Sequence, residues 1–85
     1  MNQALTSEEV LEVLGEGGSL KYFFLDGGVA VMLPDGSPKP ECYCPIEVFL
    51  QLRSNGTIQA TEKNVTGYPY FANNHRSDVY RIATT

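Results

Sequence analysis

The chain has no tryptophan, one histidine and two cysteines in 85 residues. A structural zinc site takes four ligands and a catalytic one three plus water, so so few nitrogen and sulfur donors argue against a metal centre. No apolar run approaches the ~20 residues needed to cross a bilayer. The N-terminus, MNQALTSEEV, lacks the basic start and apolar stretch of a secretory signal. The expectation is a cytoplasmic protein, in which Cys42 and Cys44 are thiols rather than a disulfide. The sequons Asn55-Gly56-Thr57 and Asn64-Val65-Thr66 are discounted for the same reason. Bases are scarce as well, six Lys and Arg against ten Asp and Glu, for a formal charge of −4. Non-specific attraction to nucleic acid depends on Lys and Arg meeting phosphate, so this balance disfavours it and suits a basic protein partner.

What is present is apolar and aromatic. Hydrophobic residues make up 42% of the chain, with five Tyr and four Phe, enough for one compact domain spanning 1–85. The clearest signal runs from Cys44 to Ile58. Pro45 suits the first turn of a helix, which puts Cys44 at the cap. Glu47, Gln51 and Ser54 recur as one narrow polar stripe, and Ile46, Val48, Phe49, Leu50 and Leu52 are expected to be buried. Asn55-Gly56 stops this helix, placed at 45–54.

Upstream, Thr6 and Glu9 form a capping box, with Leu5 and Val10 as a hydrophobic staple, for a helix over 7–14. Lys21 to Leu25 and Val29 to Leu33, parted by Asp26-Gly27-Gly28, predict a hairpin over 21–33. Downstream, a strand from about Thr57 to Lys63 and a closing strand over 78–83 predict a second hairpin, within 57–83, whose tip is a long loop over 64–77. The order α-β-β-α-β-β is α+β and winged-helix-like, with a hairpin where that fold has its second helix. No internal repeat is legible.

The residues Leu14, Gly17-Gly18-Ser19-Leu20, Cys44-Pro45-Ile46-Glu47-Val48-Phe49-Leu50-Gln51-Leu52 and Ile58 give the chain a resemblance to small winged-helix-like bacterial and phage proteins, nearest the YjhX family of toxin-type proteins. The spaced matches span roughly half the chain and are mostly apolar, so the resemblance implies the fold more than an activity.

Several groups are candidates for function. Cys42 and Cys44 with His75 would be a partial metal or redox site, and the same residues read more simply as buried or strand thiols. His75, Ser77 and Asp78 supply the letters of a hydrolase triad, but neighbours in one loop do not readily build three separate geometries. No catalytic, cofactor or metal residue is therefore assigned, and the chain is expected not to be an enzyme. Glu8, Glu9 and Glu12, with Glu16 at the helix exit, would form an acidic face for a basic partner or an ordinary solvated face. Glu47 and Gln51, with Arg53 and Ser54, would edge a DNA groove if the second helix read bases. Tyr68, Tyr70 and Phe71 in the long loop, with His75 and Arg76 at its tip, would be a contact surface, since tyrosine is enriched at protein interfaces.

The reading is a small acidic, non-enzymatic interaction module for a protein partner, of the kind found among phage and mobile-element accessory proteins and inhibitors. The alternative is a winged-helix DNA-binding regulator or toxin-type protein.

Overall fold

In the computed structural model the described residues are 3–24, 27–66 and 76–83. They form β1 (Gln3–Ala4), α1 (Ser7–Gly15), β2 (Ser19–Phe23), β3 (Gly28–Met32), β4 (Cys42–Tyr43), α2 (Ile46–Ser54), β5 (Ile58–Thr66) and β6 (Arg76–Ile82). The class is α+β with two helices. The short strands β1 and β4, absent from the expected order, pair in parallel, and the other four strands form an antiparallel sheet in the order β3-β2-β6-β5.

The sheet buries the face that its register lines up. Leu20 stands opposite Val31 on one side and Tyr80 on the other, and Tyr80 stands opposite Ala60. Opposed residues of antiparallel strands share a face, so these side chains make one apolar surface. Helix α1 packs on β2 and β6, and α2 on β3 and β5. Val10, Val13 and Leu14 of α1 and Phe49 and Leu52 of α2 complete the core. At its centre Phe49 is fully buried, stacked on Tyr22 at 4.7 Å and edge-on to Tyr80 at 4.9 Å. Such pairs add roughly 0.5–1.5 kcal/mol beyond the area they bury.

The first helix begins as the sequence predicts. Glu9 N donates to Thr6 Oγ1 and Thr6 N donates to the Glu9 carboxylate, the reciprocal pair of a capping box. The second helix begins differently. Pro45 is itself the cap, with extended backbone and no side-chain hydrogen bond, so Cys44 is the residue before it.

Strand bounds also shift. β2 starts two residues earlier than predicted, at Ser19, and the second hairpin extends to Thr66 and from Arg76. Asn64 to Thr66, Arg76 and Ser77 therefore belong to strands and not to a loop. Two register shifts, between Ala60 and Glu62 and between Glu62 and Val65, interrupt the period-2 pattern there and hide the strand from sequence reading.

The described elements also repeat a local order, which the sequence did not reveal. A two-residue strand, a nine-residue helix and a hairpin occur twice, with starts 39 residues apart at 3 and 42, 7 and 46, 19 and 58. The helix exits share two hydrogen bonds at equivalent positions. Gly17 N donates to Leu14 O and Gly18 N to Val13 O; Gly56 N donates to Arg53 O and Thr57 N to Leu52 O. Gly17 and Gly56 hold φ of 102° and 75°, the left-handed conformation that closes a helix. Between residues 3 and 18 only Glu8/Glu47, Leu11/Leu50 and Gly17/Gly56 are identical across the offset, too few to show as a repeat.

Candidate interaction surface

The parallel pairing of β1 with β4 sets the geometry of the helical layer. Ala4 is opposite Tyr43, and Leu5 N donates to Tyr43 O at 3.0 Å. Each of these paired strands leads within three residues into a helix, β1 into α1 and β4 into α2. Glu8 and Glu47 hold the second position of their helices and both are exposed. Glu9, Glu12 and Glu16 are exposed along α1 and its exit. Carboxylates in the first turn are favoured by the helix dipole, which supports each helix start independently of any partner.

The exposed stripe of α2 is broader than expected. Glu47, Gln51 and Ser54 are exposed as predicted, but Leu50 joins them at 39% exposure. The reason is angular: with about 100° per residue, a helix that turns Phe49 and Leu52 inward turns Leu50 out beside Glu47. Arg53 is also exposed, its guanidinium 5.3 Å from the centre of the Phe49 ring. Tyr43, just ahead of α2, is 42% exposed. The sequence gives no sign that Tyr43 and Leu50 are surface residues, and the parallel β1–β4 pairing that holds Tyr43 has no signature in two-residue strands.

The remaining candidates separate. Tyr68, Tyr70, Phe71 and His75 lie outside the described residues. Arg76 is exposed at the start of β6. Ser77 is fully buried, and its hydroxyl has no hydrogen-bond partner among the described residues. Asp78 is the next strand residue, and successive side chains of a strand point to opposite faces. Ser77 and Asp78 therefore do not share one site.

Cys44 is buried, 1% exposed, and burial pushes its thiol up to about 11. It is a neutral thiol at pH 7, whereas nucleophiles and metal ligands react as thiolates. Cys42 is half-buried, its Sγ donating to Lys39 O at 3.7 Å. Among the described residues no three His, Cys, Asp or Glu gather as a metal site would require. No helix of the described residues is long and apolar enough to cross a membrane. No family model, curated protein or solved structure matches the chain.

Proposed function

We propose that the chain is a small acidic, non-enzymatic interaction module that acts in the cytoplasm by binding a protein partner. One observation carries this reading: α1 exposes Glu8, Glu9 and Glu12, and α2 exposes Glu47, Leu50 and Gln51. Exposed carboxylates together with an accessible apolar side chain suit a protein surface and repel phosphate. Arg76, and the Tyr68, Tyr70, Phe71 and His75 of the connection between β5 and β6, are proposed as further contact residues. We extend the proposal to the class of phage and mobile-element accessory proteins and inhibitors, which includes small acidic single domains.

A second reading is a winged-helix DNA-binding regulator or toxin-type protein, as the YjhX resemblance implies. Its support is the run of α2 into the β5–β6 hairpin, the back half of a winged-helix arrangement. Two features weigh against it. β6 is paired with β2 in the middle of the sheet, so the hairpin is not a free wing. The stripe of α2 that would face bases carries Glu47, and positioning on DNA takes several phosphate contacts.

Titration of a labelled duplex at low and moderate salt separates the two. The module reading expects no binding at low salt. Micromolar or tighter binding with a steep negative salt slope would replace it with the DNA reading.

A further inference from the structure

Of the asparagines in the chain, only Asn55 is followed by glycine. The pair is reactive by construction. The backbone nitrogen that follows an asparagine can attack its side-chain carbonyl carbon, and glycine has no Cβ to crowd the approach. Asn55 and Gly56 are both exposed at the exit of α2, and a Cβ built on Gly56 would meet no atom within 4 Å. Solvent therefore reaches the pair from outside the fold.

The fold already seats a carboxylate at the equivalent place in its other half. At the 39-residue offset Asn55 matches Glu16, the exposed residue at the exit of α1. Glu16 has φ −86° and ψ 1°, and Asn55 has φ −78° and ψ −8°. Each precedes a glycine in the left-handed conformation, Gly17 and Gly56. A negative side chain at this position is thus compatible with the backbone that closes both helices.

We propose that Asn55 is a site of spontaneous deamidation, reached through local opening of the α2 exit rather than through unfolding of the chain. The step needs only hydroxide and water. Gly56 N loses its proton and attacks Asn55 Cγ. The new N–C bond closes a succinimide ring, and the bond from Cγ to the side-chain nitrogen breaks, releasing that nitrogen as ammonia. Water then opens the ring at either carbonyl. One opening gives aspartate, and the other gives isoaspartate, whose main chain is one carbon longer. In the closed exit Gly56 N donates to Arg53 O at 3.1 Å and Asn55 is helical, so attack requires that bond to break and ψ to turn. Helix ends fray at far less cost than a core opens. The aspartate product keeps the exit, as Glu16 does. The isoaspartate product loses it, because the added carbon moves Gly56 N and Thr57 N off Arg53 O and Leu52 O.

The test is incubation of the folded, full-length chain at mildly alkaline pH, followed by peptide mapping in a mass spectrometer. The amide-to-acid mass change is expected at Asn55 ahead of every other asparagine. Its rate should be at least tenfold below that of the chain in denaturing urea, because the Gly56 bond must open first. Below the unfolding transition the rate should be flat in urea, since a local opening exposes little surface. Asn55→Gln, whose longer side chain closes a ring far more slowly, should remove the change at this position. Asn55→Asp should melt no more than about 4–8 °C below the parent, the most that a charge opposing a helix dipole costs a domain of this size. A rate that climbs with urea in step with the unfolding equilibrium would overturn the local route. An Asn55 that stays intact in the folded chain, or that reacts after another asparagine, would overturn the site. An Asn55→Asp chain that does not fold would overturn the equivalence with Glu16.

Discussion

Phe49 and Leu50 are adjacent and both apolar, yet they do opposite things. Phe49 is fully buried between Tyr22 and Tyr80, while Leu50 is two-fifths exposed. Truncating Phe49 leaves a cavity that a sheet and two helices cannot collapse around, so Phe49→Ala should lower stability by about 3–5 kcal/mol. Leu50→Ala removes surface already half in water and should stay within about 1 kcal/mol, helped by the better helix propensity of Ala. Chemical denaturation of the two variants checks the pair. Equal losses would mean that α2 is rotated from the orientation described. Ser77 makes a different point. Its hydroxyl is fully buried and unpaired among the described residues. Leaving such a group unsatisfied costs about 1–3 kcal/mol, so Ser77→Ala should raise the unfolding midpoint. A lower midpoint would show that the hydroxyl is satisfied and useful.

At the scale of the element, the two helices are matched in length and exit but not in how they begin. α1 has its capping box, and α2 has Pro45 with no side-chain bond. Thr6→Ala should therefore destabilise by about 1 kcal/mol, and Thr6→Ser should restore most of it. If Thr6→Ala is neutral by denaturant midpoint, the start of α1 is held by its tertiary contacts alone. The same contrast explains what could be read from the sequence. Thr6-x-x-Glu9, the glycine stops and the apolar spacing of both helices act locally, and the two helices and two hairpins were legible from them. What was hidden depends on partners distant in sequence. β1 and β4 are too short to have periodicity, and they exist because each pairs with the other across the chain. The bulged half of β5 lost its alternation, so Asn64 to Thr66 read as loop. On the surface, Glu8, Glu9, Glu12, Glu47 and Gln51 were legible because polarity on a helix reports exposure. Tyr43 and Leu50 were not, because an apolar residue on a mostly apolar helix gives no sign of which way it turns.

For the whole molecule, the distribution of charge has an energetic consequence. Glu8, Glu12 and Glu16 follow one another at four-residue spacing on one exposed face, and α1 has no base in its last turn. Like charges at that spacing each destabilise a helix by about 0.2–0.5 kcal/mol, and a negative C-terminal end opposes the dipole. Glu12→Lys turns two repulsions into two attractions at an exposed position. It should stabilise the fold by about 1 kcal/mol at low salt, equivalent to about 4–8 °C in Tm for a domain of this size. At 1 M salt, where the Debye length is about 3 Å, most of the gain should vanish. A gain that persists in high salt would place its origin in helix propensity, and no gain at all would mean that the acids of α1 do not feel one another. A face that a single exchange improves is poorly tuned for stability. Natural chains keep such faces where function uses them, because stability and binding draw on the same residues in opposite directions.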